Sequence, residues 1–226
     1  MKVAVCFSGL PRFISECFPY WRKCLLEPYD CDVFVHTWQS HTVQDYLTQQ
    51  YVSHAYQPVR FHMQPVPEFD VSSYTDRVWP HRISPHAQFS QFEGIKRSQA
   101  LRQTQERVRG AAYDLVVRAR FDWYLDKVDL EQNPCVNVAR TPTLDGHKFT
   151  YDQIPLVGIN DQFAYGYSDV MDVYAQVVNN IPNLYHAHGV DFCGELFLRA
   201  HLHEHHMFIK QHVWNNGIVR DWGVMP

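Results

Sequence analysis

Several features are missing from this 226-residue sequence, and each absence excludes a class of protein. The N-terminal apolar run from Val3 to Phe7 is too short for a signal-peptide core or a membrane span. The six cysteines include no CxxC spacing, and four of them fall within the first 31 residues, so no disulfide framework is indicated. We therefore expect a soluble, cytoplasmic protein with reduced, mostly buried thiols and no transmembrane segment.

An excess of charge of either sign is also missing. The chain has 20 Lys and Arg against 24 Asp and Glu, a formal net charge of -4. This balance argues against nucleic acid and against a polybasic membrane-binding surface. The sequence has no internal repeat and no low-complexity tract, and its 46% hydrophobic content suffices for a packed core. We expect one domain over residues 1–226.

The common phosphate-binding and zinc-binding motifs are absent as well. Neither GxGxxG nor GxxxxGK[ST] occurs, and neither HExxH nor a Cys/His finger spacing accompanies the 14 histidines. The turn after the first predicted strand nevertheless carries Ser8 and Gly9, which allow a ligand to approach the backbone closely. Arg12, at the start of the following helix, is placed to hold a phosphate or a base edge. A plain strand-turn-helix without a ligand is the alternative.

Strand-like and helix-like segments alternate in the first half of the chain, which predicts an α/β fold. We expect a Rossmann-like, mainly parallel central sheet flanked by helices. Predicted strands are Lys2–Phe7, Asp32–Trp38, Val59–Met63, Tyr113–Leu125, Cys135–Ala139, Asp161–Tyr165 and Met207–Trp214. Predicted helices are Phe13–Leu26, Val43–Tyr51, His86–Arg109, Ser168–Asn179 with Ser168 as its N-cap, and Glu195–His203. Val66–Pro85 is expected to be a long irregular loop.

The most informative segment is Tyr113–Leu125, YDLVVRARFDWYL. Alternation along a strand puts Arg118, Arg120 and Asp122 on one face and the apolar residues on the other. Because an unpaired buried charge costs several kcal/mol, these groups either pair with each other or meet a charged ligand. Asp122 comes at the carboxyl end of the strand, the edge where open α/β sheets bind ligands. An internal Arg–Asp ion pair is one interpretation. The other is that Asp122 ligates Mg²⁺ or Mn²⁺ while the arginines neutralise phosphate.

The order of five segments suggests a family. KVAVCFSGLPR, DVFVHTW, VVRARFD, DQFAYG and GELFLRAHL follow one another as in small glycosyltransferases of the GT-A fold. From Lys2 to about Trp214 the chain resembles the WavE-like group of these enzymes, which is linked to polysaccharide synthesis. In GT-A enzymes a DxD-type motif at the end of a central strand binds the metal that bridges the donor diphosphate. Here Arg120-Phe121-Asp122 stands at the matching place, so arginine replaces the first acid.

The resemblance implies a single GT-A-like domain, a nucleoside-diphosphate sugar as donor, a glycan or related acceptor, and Mn²⁺ or Mg²⁺ as cofactor. It places Asp122 at the metal, with His212 as a further ligand. It implies eight nucleotide-sugar-binding residues: Phe7, Ser8, Gly9, Arg12, His36, Thr37, Lys96 and Arg97. Arg118 and Arg120, the arginines expected to neutralise phosphate, complete the predicted nucleotide-sugar-binding set. Lys96 and Arg97 have an exposed polar helix face as their alternative interpretation.

Two acids are candidates for removing a proton from the acceptor hydroxyl. Glu195 begins a helix at a place that resembles the position of the catalytic acid in many GT-A enzymes, and Asp161 is the competing candidate. Either is alternatively a helix cap or a loop acid. Two other functions stay open. A sugar nucleotidyltransferase lacks support because no long glycine-rich, basic loop is present to grip a triphosphate. A non-catalytic carbohydrate- or nucleotide-binding protein on a transferase fold is favoured by the arginine at the first DxD position.

Overall fold

Twelve strands and six helices make up the regular structure of the described residues. The structure is a computed structural model that describes residues 1–39, 43–75, 84–140, 148–151, 154–220 and 223–225. The strands are β1 Lys2–Ser8, β2 Asp30–Trp38, β3 Arg60–Gln64, β4 Leu115–Ala119, β5 Trp123–Leu125, β6 Cys135–Ala139, β7 Lys148–Tyr151, β8 Ile154–Val157, β9 Ala164–Gly166, β10 Phe208–His212, β11 Asn216–Arg220 and β12 Gly223–Met225. The helices are α1 Ile14–Trp21, continued by a π-helical turn over Arg22–Leu26, α2 Val43–Tyr56, α3 Pro85–Arg109, α4 Ser168–Ala175, α5 Val177–His186 and α6 Gly194–Glu204.

A seven-stranded sheet in the order β10-β6-β9-β4-β1-β2-β3 forms the centre of the fold. Strand β9 pairs antiparallel with β4 and β6, whereas the other neighbouring strands pair in parallel. Six of the seven strands therefore end at the same edge of the sheet. This arrangement confirms the prediction of an α/β fold with a mainly parallel sheet, and it defines the edge where a ligand is expected.

Helices cover both faces of the sheet because alternate strand residues point to opposite sides. On one face, Val3, Val5 and Phe7 of β1 pack with residues of α1 and α2, including Trp21 and Val52. On the other face, β1 contributes Ala4 and Cys6, which belong to the core formed with α3, α4, α5 and α6. The sheet is thus buried on both sides, which explains the near-continuous apolar runs of β1 and β4.

The predicted long strand Tyr113–Leu125 is wrong in its length. Strand β4 ends at Ala119, residues 120–122 form a turn, and Trp123 begins β5 of a second, three-stranded sheet with β11 and β12. The last pairing of β4 with β1 is between Ala119 and Phe7. Strand β1 ends one residue after Phe7, at Ser8, and is followed by Gly9, whose backbone has φ 108°. Because β4 loses its partner there, the chain leaves the central sheet.

Other boundaries differ by a few residues. Tyr167 is the N-cap of α4 and Ser168 is its first residue, so the predicted cap is displaced by one position. The Ser168 hydroxyl instead donates to Glu106 of α3, at 2.8 Å. The helix expected to run to Asn179 is divided into α4 and α5 at Gln176. Residues 66–75 of the predicted loop contain no helix or strand, its residues 76–83 lie outside the described part of the chain, and its last residue, Pro85, begins α3.

The six cysteines form no disulfide, as predicted. Among the residues that the structure describes, no helix combines the length and the apolarity needed to span a membrane.

Candidate functional site

A cavity of about 460 Å³ opens at the edge where the parallel strands end. Its walls come from the loop after β1, the end of β2, the first turns of α3 and the end of β4. The polar and charged residues of the lining are Ser8, Arg12, Gln39, Ser90, Gln91, Arg118, Arg120 and Asp122. The sheet edge predicted to bind a ligand therefore carries a cavity, and the three charged residues of the RARFD segment line it.

Two larger cavities, of about 550 and 680 Å³, lie beside α2 and share Tyr51 and His54 in their linings. The charged residues there, Arg22 and Glu27, have side chains that are 63% and 56% exposed and pair with each other. An exposed ion pair of this kind is fully hydrated and does not call for a ligand. The cavity at the sheet edge is smaller, but its charged side chains make it the better candidate for a ligand-binding site.

Asp122 is held between two guanidinium groups. Arg120 donates from Nε and Nη2 to the two carboxylate oxygens, both at 2.8 Å, and Arg12 donates from Nη2 to Oδ2 at 3.0 Å. The Asp122 side chain is only 2% exposed. Burial lowers the pKa of Arg120, but the adjacent Asp122 carboxylate more than offsets this, so the pKa is raised overall. The sequence-based interpretation of an internal Arg–Asp pair is therefore correct for Arg120 and Asp122.

Arg118 is different from its two arginine neighbours. Arg118 is 1% exposed, its Nη1 donates to the carbonyl of Gln162, and its Nε has no hydrogen-bond partner in the part of the chain that the structure describes. No carboxylate of the described residues lies within ion-pair distance of it. Burial lowers the pKa of Arg118 to about 10, which still leaves the group charged at neutral pH. A buried cation with an unpaired N–H at a cavity wall is well suited to an anion.

Ser8 provides a second unpaired polar group at the same cavity. Its hydroxyl is buried and has no hydrogen-bond partner among the residues that the structure covers. Three guanidinium groups and one carboxylate give the cavity lining a formal net charge of +2. The sheet edge therefore carries a positively charged recess, and two buried polar groups in its lining have no hydrogen-bond partner among the described residues, which favours a ligand with negatively charged oxygens.

The two candidate acids lie next to each other behind this cavity. Asp161 is 6% exposed and accepts a 2.7 Å hydrogen bond from Gln91, which itself lines the cavity. Burial raises the pKa of Asp161 to about 6, with a further increase from Glu195 and opposing effects of Arg118 and Arg120. Glu195, in the first turn of α6, accepts a hydrogen bond from the Cys193 thiol at 3.0 Å. Asp161 is therefore an acid whose protonation changes near neutral pH, which is the property of a general base.

Several predicted nucleotide-binding residues lie away from the cavity. Phe7 and Thr37 are on the opposite face of the sheet from Ser8 and His36, and Phe7 packs against Phe121 and Trp21. His36 is fully buried beside Trp38, and burial lowers its pKa to about 3, so the ring is neutral.

Lys96 and Arg97 lie further along α3. Both pair with Glu93, at 2.7 and 2.8 Å, and Arg97 also stacks over the ring of Trp38. Neither residue lines the cavity. Their assignment to the phosphates remains a prediction, and the observed pairing matches the alternative interpretation of a polar helix face.

His212 is distant from Asp122. It lies at the end of the edge strand β10, and β6 and β9 separate β10 from β4, which amounts to about 14 Å at the usual strand spacing. Its ring hydrogen-bonds to Asn137 at 2.9 Å and stacks on Trp214 with a centroid distance of 4.5 Å. The structure does not bring the two predicted metal ligands together.

The side chains at the cavity do not fit a divalent-cation site. Mg²⁺ and Mn²⁺ need several oxygen ligands, but both Asp122 oxygens already accept hydrogen bonds from guanidinium groups. Within the described ranges, no three His, Cys, Asp or Glu side chains are grouped closely enough to hold a metal. The metal assignment remains a prediction that this donor set does not favour.

The sequence interpretation assigned Lys96 and Arg97 of α3 to the ligand but missed the residues of α3 that line the cavity. Ala87, Ser90 and Gln91 line the cavity, and Gly94 follows one turn later on the same face. A Cβ on Gly94 would lie 3.6 to 3.8 Å from atoms of Trp38, His36 and Ser8, so the small residue permits the close packing of α3 on the strand ends. Small residues at spacings of three and four in a long helix were the available signal.

No known family model matches the chain, and no curated protein matches it.

Proposed function

We propose that this chain is a glycosyltransferase of GT-A-like fold, which moves a sugar from a nucleoside-diphosphate sugar to a glycan or related acceptor. The observation that carries this proposal is Arg118. It is a buried guanidinium group at the cavity wall with no carboxylate partner among the described residues and with an unbonded Nε. An anionic ligand would supply the missing charge and the missing acceptor.

The location of the cavity supports a nucleotide-linked donor. It lies at the carboxyl edge of a mainly parallel sheet, next to the loop that follows the first strand. Such edges bind phosphorylated ligands in many open α/β sheets because loops and helix N-termini meet there. Ser8 adds an unbonded hydroxyl, and Gly9 leaves the backbone accessible beside it. We assign the diphosphate to Ser8, Arg12, Arg118 and Arg120.

The adjacent acids support a transfer reaction. In the proposed step, an acceptor hydroxyl oxygen bonds to the anomeric carbon of the donor sugar as the bond from that carbon to the diphosphate oxygen breaks. The hydroxyl proton passes to Asp161, and the nucleoside diphosphate leaves with increased negative charge. Arg118 and Arg120 are placed to stabilise that charge, since fixed N–H donors act most strongly in a water-poor site.

The pKa of Asp161 suits this role. A base must be deprotonated to accept the hydroxyl proton, and burial together with Glu195 raises the pKa of Asp161 to about 6. The group is therefore ionised at neutral pH and is still a better proton acceptor than an exposed carboxylate. Gln91 fixes its orientation through the 2.7 Å hydrogen bond.

The experiment is an assay of nucleoside-diphosphate release from a panel of nucleotide sugars, with and without glycan acceptors. We expect one donor to be consumed, with kcat/KM rising as the pH increases through about 6. Asp161→Asn should lower kcat by about 100-fold or more, the usual contribution of a general base. Asp129→Asn, at an exposed ion pair with Lys127, is the matched control.

Two results would reject the transferase. Pyrophosphate release from a nucleoside triphosphate and a sugar phosphate would identify a nucleotidyltransferase. Binding of a nucleoside diphosphate without release of sugar from any donor, to any acceptor or to water, would identify a non-catalytic binding protein. Asp122 accepting hydrogen bonds from two arginines favours that second alternative over a metal-dependent enzyme.

A further inference from the structure

We infer that three arginines, and not a divalent cation, neutralise the diphosphate at this site, with Asp122 acting as the group that positions two of them. The inference rests on the proposed function for the identity of the ligand. It departs from the expectation of Mn²⁺ or Mg²⁺, and the observations behind it are the contacts of Asp122 and the surroundings of Arg118.

Both carboxylate oxygens of Asp122 are already engaged by arginines. Its two oxygens accept three hydrogen bonds from Arg12 and Arg120, with distances of 2.8 to 3.0 Å. A cation at this carboxylate would have to approach two positive groups and replace their hydrogen bonds. Charge-assisted bonds of bidentate geometry are among the strongest in proteins, so this exchange is unfavourable.

Arg12 and Arg120 keep N–H donors that Asp122 does not use. A guanidinium group has five N–H donors, and Arg120 uses Nε and Nη2 on Asp122 while Arg12 uses Nη2. Donors of both groups therefore stay available at a cavity that they line. Because the same carboxylate holds both groups, their orientation is set before a ligand arrives. Arg118 contributes a third charge from the sheet itself.

The net charge of the cavity lining also suits a diphosphate without a metal. The cavity lining carries a formal charge of +2, which matches the charge that a divalent cation would supply. Phosphate oxygens fit the planar, forked geometry of arginine, whereas a metal site needs a set of oxygen ligands that the described residues do not provide here. Arginine at the position of the first DxD acid is then a functional replacement, since it supplies the charge that the metal would otherwise bring.

The test is calorimetric titration of the full chain with inorganic pyrophosphate, first with EDTA and then with excess Mg²⁺ or Mn²⁺. We expect binding in EDTA, with a Kd that changes by less than about threefold when the cation is added. Arg118→Met should weaken binding by about tenfold or more, the value of a lost charge-assisted hydrogen bond. Arg107→Met, an exposed arginine in the last turn of α3, removes the same charge elsewhere and is the control.

A second variant covers the case in which Arg118→Met does not fold. The Arg12 side chain is 48% exposed, so Arg12→Met should fold and should also weaken binding in EDTA. Pyrophosphate binding that needs the cation would overturn the inference, as would the absence of any binding or full affinity in both arginine variants.

The inference and the proposed function fail in different ways. Cation-independent pyrophosphate binding in a chain that consumes no sugar donor would support the arginine site and reject the transferase. Sugar transfer that EDTA abolishes and Mn²⁺ restores would support the transferase and reject the arginine site.

Discussion

Arg12 and Asp122 are 110 positions apart in the sequence and are joined by a hydrogen bond of 3.0 Å from Nη2 to Oδ2. This contact connects the loop after β1 to the turn after β4. Arg120 binds the same carboxylate from two residues away. Three charged groups from two strand ends thus form one network at the wall of the cavity, and its integrity affects both stability and ligand binding.

Replacing Asp122 tests the structural value of this network. Asp122→Asn leaves Arg120, whose side chain is 14% exposed, without its carboxylate. Removing one partner of a buried pair costs about 3 to 5 kcal/mol, so we expect a loss of this size in the free energy of unfolding. Urea denaturation measures it. Asp129→Asn, at a surface pair with Lys127, should cost less than about 1 kcal/mol. Equal losses of unfolding free energy in the two variants would contradict a stabilising role for the contacts of Asp122 with Arg12 and Arg120.

Asp161 gives a prediction about pH. Its pKa is raised to about 6 in the folded chain, mainly by burial, from an ordinary value near 3.8. The folded state then holds a proton that the unfolded chain releases between these values, so this group's contribution to stability falls as the pH rises from about 4 to 6. Asp161→Asn removes the effect. We expect the stability of the variant relative to the native chain to increase over that window, by up to about 3 kcal/mol.

Urea denaturation of both chains at pH 4.5 and pH 7.5 measures this difference. The exposed Asp129→Asn variant is measured in parallel as the control. A relative stability of Asp161→Asn that stays constant, or that decreases with rising pH, would contradict the assignment of a raised pKa to Asp161.

Gly9 gives a prediction about the backbone of the loop. Its φ of 108° is a conformation that L-residues rarely adopt, although an added Cβ would meet no atom within 4 Å. Gly9→Ala should therefore cost about 1 to 3 kcal/mol through backbone strain alone. Because Gly9 lines the cavity, the variant should also bind pyrophosphate more weakly. Thermal unfolding and calorimetric titration test the two effects.

The matched control is Gly110→Ala. Gly110 ends α3 with a φ of 70° and has the same open space around an added Cβ, but it does not line the cavity. This variant should lose stability and keep its affinity for pyrophosphate. Equal affinities for the two variants would show that the loop conformation at Gly9 has no part in binding.

The cysteines give a prediction about reactivity. Cys6, Cys17, Cys24 and Cys193 are buried, whereas Cys31 and Cys135 are partly exposed. Burial raises the pKa of Cys31 to about 12, so its thiolate is scarce at pH 8. We expect a disulfide reagent to modify one thiol quickly in the folded chain and six after unfolding. Cys135→Ser should remove the fast phase, and four or more fast thiols would contradict the core packing.

The local pattern of the sequence predicted a large part of the fold. Strands β1, β2, β3 and β6 were predicted within two residues of their observed ends. For β1 the signal was an apolar run, because a strand buried on both faces needs an uninterrupted apolar sequence, whereas the edge strand β3 has no buried residue. The alternation in the RARFD segment correctly placed Arg118, Arg120 and Asp122 on one side. All three line one cavity, although Arg120 and Asp122 lie in the turn that follows β4, where strand alternation no longer applies.

Alternation along β1 places Phe7 and Ser8 on opposite faces of the sheet. The two residues therefore cannot line the same site, although the resemblance assigned both to the nucleotide. Short antiparallel pairings were missed for a different reason. Strand β5 has three residues, and its partner β11 lies about 90 residues later in the chain. No local pattern specifies such a partner, because the pairing depends on how the rest of the chain packs.

The sequence by itself determined most strands of the central sheet and most helices, which side of those strands is apolar, and that three charged groups would lie on one side. These properties follow from the chemistry of neighbouring residues. Only the tertiary structure decided that Arg12 and Gln91 join those groups, that Asp161 lies beside Glu195, and that His212 is separated from Asp122 by two strands. Such contacts depend on the order of strands in the sheet, and burial and charge at a site depend on contacts between residues far apart in the chain.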